Sequence, residues 1–284
     1  MPAIVLDGAA VARDVYAALA NRVSALGRQN VRPGLAAVQV GDDPASKIYI
    51  RNKVRACSAA GVHSMVKALP GDTTPEQLVE ALHRLNSDPE IHGILVQLPL
   101  PGHFPTGLVA STVAPRKDVD GLTWHNLGAL LAGQPQFEPC TPRGVIRLLE
   151  SAGVEIAGRD AVVVGRSTIV GKPMAMMLTA RSATVTMCHS RTANLERYCR
   201  NADILVVAAG RRGLVRGDMV KPGAAVIDVG INRGDKGIVG DVDFASVEKI
   251  AGWITPVPGG VGPMTIAMVI ENTVQAAELS GAAR

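Results

Sequence analysis

Ala161-Val-Val-Val-Gly165-Arg-Ser-Thr-Ile-Val-Gly171-Lys-Pro173 decides the fold. An apolar run empties into a glycine, and a second glycine and a proline precede a segment of helical period. The stretch therefore reads as a buried strand, a turn and a helix. In such a βα unit the first glycine lets the backbone approach a pyrophosphate closely, and the helix N-terminus beyond it offers unpaired amides with a favourable dipole. The spacing is not G-x-G-x-x-G, and a purely structural βα turn explains the same glycines.

The next strand, expected at 184–188, ends in His189-Ser190-Arg191-Thr192, where an NAD-specific site places an Asp or Glu for the ribose hydroxyls. Ser190 can donate a hydrogen bond, and Arg191 or Arg166 can pair with a dianion. The 2′-phosphate of NADP thus fits better than a bare ribose. The alternative is a solvated arginine at a strand end. Strands at 204–208, 225–229 and 253–256 extend the pattern, with helices over 173–179 and from Thr141-Pro142, read as an N-cap followed by proline at the first helical position.

The first half repeats the alternation. Strands are expected at 35–40, 63–69 and 93–98, helices at 44–61 and 75–85, and the Pro- and Gly-rich segment 99–139 as mostly loop and crossover. Alternating strands and helices mean an α/β fold around largely parallel sheets. A chain of 284 residues predicts two domains with a cleft between them, divided as 1–139 and 140–262, with a last helix at 264–279 in a segment 263–284 returning to the first.

Composition narrows the function classes. With 47% hydrophobic and 19% charged residues the chain can bury sizeable cores, whereas 3% aromatics leaves no platform for stacking nucleic-acid bases. A net charge of +4 without a run of like charges points to local pockets for small anions. The four cysteines, at 57, 140, 188 and 199, form no C-x-x-C pair and have no histidine at ligand spacing, so the expectation is reduced buried thiols, a cytoplasmic protein and no metal. No apolar stretch is long enough to span a membrane, and the first residues lack the basic start of a secretory signal.

In SKIYIRNK, Ser46, Tyr49 and Lys53 share one face of the expected helix. A lysine one turn from a tyrosine suits proton transfer beside an aromatic substrate, though an amphipathic surface helix with a snorkelling lysine has the same spacing. Gln97 follows an apolar run at a strand end, the usual place for ligand-binding side chains in α/β sheets. Asp118 and Asp120 in KDVDG read either as turn-forming carboxylates or as readers of a heterocycle's amino group.

Ten ordered segments, SKIYIRNKVRAC, GILVQLPLP, KDVDGL, FEPCTPRG, VVVGRSTIVGKP, TVTMCHSRT, ADILVVAAG, VIDVGINR, GDVDF and ITPVPGGVGPMTIAM, resemble the bifunctional methylenetetrahydrofolate dehydrogenase/cyclohydrolase family nearly end to end. The resemblance implies an N-terminal folate-binding catalytic domain and a Rossmann-type NADP-binding domain. It also implies oxidation of 5,10-methylenetetrahydrofolate with NADP, and hydrolysis of the methenyl product to 10-formyltetrahydrofolate. Tyr49, Lys53, Gln97 and Asp120 fall on its catalytic and folate positions, and Pro258, Gly259 and Gly260 on its loop near the folate. Gly165, Arg166, Ser167, Ser190 and Ile231 fall on NADP positions; Arg191 and Thr192, next to Ser190, join that set. The expected state is a cytoplasmic homodimer in one-carbon metabolism and purine biosynthesis, with no nucleic-acid or membrane partner. The chain departs from the family pattern at Arg211-Arg212 and Leu122-Thr123-Trp124. A different two-domain NADP oxidoreductase acting on a small hydroxy or amino acid, and a catalytically silent dinucleotide sensor, are the competing readings.

Overall fold

A computed structural model describes residues 2–234 and 237–282. Numbered along the chain, the first half holds β1 (Ile4–Val5), α1 (Gly8–Arg28), β2 (Gly34–Val40), α2 (Pro44–Ala59), β3 (His63–Leu69), α3 (Pro75–Ser87), β4 (Gly93–Val96), α4 (Leu108–Thr112) and α5 (Trp124–Leu131). The second half holds α6 (Cys140–Ser151), β5 (Asp160–Val164), α7 (Gly171–Ala180), β6 (Thr184–Cys188), α8 (Leu195–Cys199), β7 (Ile204–Val207) and β8 (Ala225–Asp228). There follow β9 (Asn232–Gly234), β10 (Gly237–Val239), α9 (Phe244–Val247), β11 (Trp253–Ile254) and α10 (Val261–Ala282).

The chain forms two compact units. One consists of Asp14–Cys140 and the residues from Ile266 on. Its sheet runs β3-β2-β4, all parallel, and the fully buried β2 lies in the middle. Ala36, Val38, Ile94 and Val96 pack beneath Leu78, Leu82 and Leu85 of α3, the apolar stripe that a 3.6-residue period puts on one face. Thr74 caps α3 through a reciprocal capping box with Gln77, and Asp43 caps α2 by accepting from Ser46 N at 2.8 Å. Pro44 opens α2 at a position where a missing backbone N–H costs nothing.

The other unit consists of the residues up to Arg13 together with Thr141–Thr265. Among the described residues its sheet is six-stranded and parallel, ordered β1-β11-β8-β7-β5-β6. Val162, Val164, Leu205, Val207, Val226 and Ile254 bring one face of it into a single apolar core with Met219 and Val247.

Three expectations need correction. A boundary near 139 does not keep the N-terminus with the first unit, because β1 pairs with β11 through Ile4 opposite Trp253 and Val5 opposite Ile254. The division near the C-terminus falls inside α10, after Thr265, rather than at 262. Thr141 is not a cap: α6 begins one residue earlier, and the Thr141 hydroxyl lies 3.1 Å from that of Thr265. The segment 99–139 is mostly loop, as expected, interrupted by α4 and α5, the latter capped by Thr123 accepting from Asn126 N.

Candidate active site

Lys53 projects from the third turn of α2 on the same buried strip as Ser46, Ile50 and Cys57. It is only 9% exposed, and its Nζ donates to Gln97 Oε1 at 3.0 Å. Gln97 stands just past β4, where its backbone N–H still bonds to Val38 O of the central strand. Its side-chain amide donates to Leu98 O at 2.8 Å, which turns the amide oxygen toward the lysine. The hydrogen bond therefore runs from Lys53 to Gln97, the reverse of a lysine tuned by a glutamine donor.

Burial lowers the Lys53 pKa from its ordinary value, opposed by the carboxylate of Asp120 and the thiols of Cys140 and Cys57. Asp120, half-buried, is pushed up to about 6 by desolvation, with Lys53 pulling it down and Asp118 pushing it up. Cys57 is pushed up to about 12 by burial, so it stands beside the amine as a neutral thiol. A lysine biased toward the free base and a carboxyl biased toward the acid face each other in one desolvated cluster. Such opposed shifts suit proton transfer. Tyr49, one turn before Lys53, is half-buried, and burial raises its phenol pKa.

The two carboxylates of KDVDG divide the readings between them. Asp118 is the turn former: its oxygens accept from Leu122 N at 3.1 Å, Thr123 N at 2.7 Å and Asn126 Nδ2 at 2.8 Å. Those bonds use the backbone of Leu122 and Thr123, which is how an unusual Leu-Thr-Trp sequence keeps the loop. Val119 is pinned against Gly93, where an added Cβ would lie 2.7 Å from Val119 Cγ1. Asp120 is thereby presented to Lys53.

Two helpers of this loop escape motif reading. Cys140 Sγ donates to Val119 O at 3.0 Å, and Asn272 Nδ2 of α10 donates to the same oxygen at 2.9 Å. A fully buried asparagine in the apolar run IAMVIENTV was the available signal, because such an amide demands partners.

In the other unit, β5 ends at Val164 and Gly165 turns with φ +134°, a conformation side chains rarely adopt; an added Cβ there would meet Ala208 O at 2.2 Å. The turn closes on itself, since a Cβ on Gly171 would come within 2.2 Å of Gly165 O. Ser167 Oγ accepts from Val170 N at 3.1 Å and Gly171 N at 3.3 Å, so its hydroxyl helps to shape the start of α7. After β6, Thr192 Oγ1 accepts from His189 N at 2.9 Å and Thr192 N donates to His189 O, a small closed turn that carries Ser190 and Arg191 outward. Arg166, Ser190, Arg191 and Ile231 are exposed, and neither arginine makes an ion pair among the described residues. Exposed cations, a hydroxyl and a glycine turn at a helix N-terminus are a donor set that fits a phosphorylated dinucleotide.

Pro258, Gly259 and Gly260 form a tight turn in this same unit. Gly259 has φ +110°, Gly260 N donates to Pro256 O at 2.9 Å, and a Cβ on Gly8 would meet Gly260 O at 1.8 Å. Among the described residues no group of three or more His, Cys, Asp or Glu is placed to hold a metal ion, and no helix is long and apolar enough to cross a membrane.

Residues 6–120 match the family described as tetrahydrofolate dehydrogenase/cyclohydrolase, catalytic domain, and residues 139–281 match its NAD(P)-binding domain. The bifunctional protein FolD of Bordetella avium is 58% identical over 279 residues, 98% of each chain. The solved structure of the bifunctional FolD methylenetetrahydrofolate dehydrogenase/cyclohydrolase from Campylobacter jejuni is similar at a TM-score of 0.95 and 47% identity, over 97% of this chain and 98% of that one. The Trypanosoma brucei N5,N10-methylenetetrahydrofolate dehydrogenase-cyclohydrolase, solved in complex with NADP cofactor and inhibitor, gives 0.95 at 41% identity over 99% of each chain. With both halves matched, and a relative of this identity along nearly the whole length, the chain belongs to the tetrahydrofolate dehydrogenase/cyclohydrolase family.

Proposed function

We propose that Lys53, desolvated and hydrogen-bonded to Gln97, is the proton-transfer group of this enzyme. The enzyme oxidises 5,10-methylenetetrahydrofolate to 5,10-methenyltetrahydrofolate with NADP and hydrolyses that product to 10-formyltetrahydrofolate. The two other readings of the sequence, a small-acid oxidoreductase and a silent sensor, give way to this activity. NADP, when bound, accepts the hydride of the first reaction; Arg166, Ser190 and Arg191 hold its 2′-phosphate, and Gly165, Ser167, Thr192 and Ile231 border it.

Hydride transfer asks of the protein chiefly alignment, and here Tyr49 packs on the folate's flat rings while Asp120 accepts from the pterin's amino and ring N–H groups. Hydrolysis asks for more. As a water oxygen bonds to the cationic methenyl carbon, neutral Lys53 takes the water's proton. The resulting ammonium returns a proton to the ring nitrogen as the carbon–nitrogen bond of the adduct breaks, and the adduct's remaining hydroxyl proton leaves to water as that oxygen becomes the carbonyl of the formyl group on the other nitrogen. Gln97 keeps Nζ in place through both transfers. A neutral amine beside a cation avoids repulsion, and the desolvation that lowers the Lys53 pKa supports that state.

The observation that carries the reading is the 3.0 Å bond from a nine-tenths buried lysine to Gln97. Lys53→Met keeps the stem's bulk and removes the amine, and it should cut cyclohydrolase turnover by about 10²- to 10⁴-fold while reducing the dehydrogenase less. Followed by absorbance, methenyltetrahydrofolate should accumulate from the methylene substrate and persist. Hydrolysis at the parent rate would remove Lys53, and Gln97 with it, from the chemistry. A cytoplasmic homodimer without nucleic-acid partners belongs to the same proposal; four buried free thiols support a reducing compartment, and sedimentation tests the dimer.

A further inference from the structure

We propose that Asp241, in the GDVDF segment, is a positioning residue for NADP: its carboxylate holds the two strand-end segments, 208–211 after β7 and 230–232 after β8, that border the cofactor site. Asp241 is fully buried, and its two oxygens collect four donors from both segments. Oδ2 accepts from Ala209 N at 2.6 Å and Gly210 N at 2.8 Å, and Oδ1 from Arg211 N and Asn232 Nδ2, each at 2.8 Å.

Three successive amides converging on one anion are the arrangement by which backbone nests bind phosphate. Here the anion is the chain's own. The 209–211 nest is already filled, so these amides are not free for the pyrophosphate, and the turn from Gly165 to Gly171 remains as the cradle. The segment that Asp241 holds is also the wall of that cradle, since Ala208 O lies 2.2 Å from where a Cβ on Gly165 would stand.

Asp241 is itself held. Asp228, the last residue of β8, accepts from Asp241 N, Val242 N and Gly230 N, each at 2.9 Å. Glycine is required on both sides of this interlock: a Cβ on Gly240 would lie 1.8 Å from Asp228 Oδ2, and one on Gly230 would lie 2.3 Å from Asp241 Oδ1. A single frame of two carboxylates thus ties the ends of two neighbouring parallel strands, the edge along which doubly wound sheets bind ligands. Because Arg211 enters it through its backbone, the frame tolerates the Arg211-Arg212 departure from the family pattern.

The inference rests on the NADP site proposed above, and its test separates the two. Asp241→Asn keeps the shape but turns an NH₂ toward donors. It should weaken NADP binding to the cofactor-free protein on the order of 10- to 100-fold, the usual worth of charge-assisted hydrogen bonds. KM for NADP should rise more than dehydrogenase kcat falls, and cyclohydrolase turnover without NADP should hold. Hydrogen exchange should quicken at the 209–211 amides and stay slow inside β5, β7 and β8. Unchanged NADP affinity, or loss of both activities with fast exchange across the whole sheet, would overturn the proposal. If Asp241→Asn does not fold, Asn232→Ala removes one donor and should give a few-fold loss of affinity with faster exchange at 209–211; no change in either overturns it equally. Arg191→Ala measured alongside reads the site itself: if it leaves NADP affinity intact while Asp241→Asn weakens it, the phosphate-pocket assignment fails and the Asp241 frame stands.

Discussion

The Lys53 cluster and the Gly165 turn are built by opposite means. In the first, a few side chains are buried, bonded to one another and displaced from their ordinary pKa values. In the second, backbone and glycine make the shape, and the polar side chains stand in solvent without internal ion pairs. The lesson is about leverage. Losing a desolvated proton carrier removes a step, whereas losing one exposed cation from a site shaped by backbone subtracts one contact from many. The loss predicted for Lys53→Met is accordingly the largest, and the cofactor side should answer by degrees.

The first way to break the contrast is to remove the exposed cations. Arg166→Ala or Arg191→Ala should cost about 1.5 to 3 kcal/mol of NADP binding, a loss of roughly 10- to 100-fold, and leave NAD almost untouched. Titrating both cofactors against both variants checks it; an unchanged NADP-to-NAD preference means that the 2′-phosphate is held elsewhere.

The same division governs what the sequence discloses. The β5 run and the glycines behind it are legible because a buried strand, a φ +134° turn and a helix start are local demands on residue type. Lys53, Gln97 and Asp120 are legible as residue types at strand ends or on one helix face, but not as neighbours. Their proximity comes from the parallel register of β2 and β4 and from the Asp118 turn. Illegible altogether is β1, two exposed residues whose strand character exists only through pairing with β11 some 250 positions away. Asn272 and Cys140 act from distant segments on a backbone oxygen, a kind of support that leaves no motif. The Asp228 and Asp241 frame is of the same kind, since each carboxylate serves backbone far along the chain.

A smaller effect sharpens the contrast through pH. An ordinary aspartate ionises near pH 4, but Asp120 is raised to about 6. In its proposed role as acceptor for the pterin's N–H groups, the Asp120 carboxylate should therefore be lost as pH falls through about 6, so affinity for a folate analogue should drop about tenfold between pH 7 and pH 5. Stability runs the other way. A folded pKa above the unfolded one contributes stability that is complete below about pH 4 and is lost as pH rises through about 6. Binding at neutral pH is thus set against folding at this residue. Asp228, also pushed up to about 6 by burial, titrates in the same range, and Asp120→Asn separates them. That variant should bind the analogue weakly at every pH and show no break near 6; a break that survives assigns the transition to another group.

The smallest expected effect asks whether Ser167 belongs to the backbone-built side or to the side-chain side of the comparison. Its place in the turn suggests a contact with NADP, yet its Oγ already accepts from Val170 N and Gly171 N, the amides that open α7. A hydroxyl in that role braces the turn before the helix, whose N-cap is Val170, and losing its hydrogen bonds costs about 1 kcal/mol of stability. Ser167→Ala should accordingly lower the urea midpoint by a corresponding amount and weaken NADP only a few-fold, because the cradle is loosened but no ligand bond is deleted. Ser167→Asp supplies the discriminating arm: a carboxylate can accept from the same two amides and is favoured beside a helix N-terminus, so folding stability should be kept. The negative charge should nevertheless repel a phosphate. If Ser167→Ala loses NADP more than tenfold with an unmoved urea midpoint, the hydroxyl is a direct ligand contact, and the cofactor site relies on side chains more than its glycine architecture indicates.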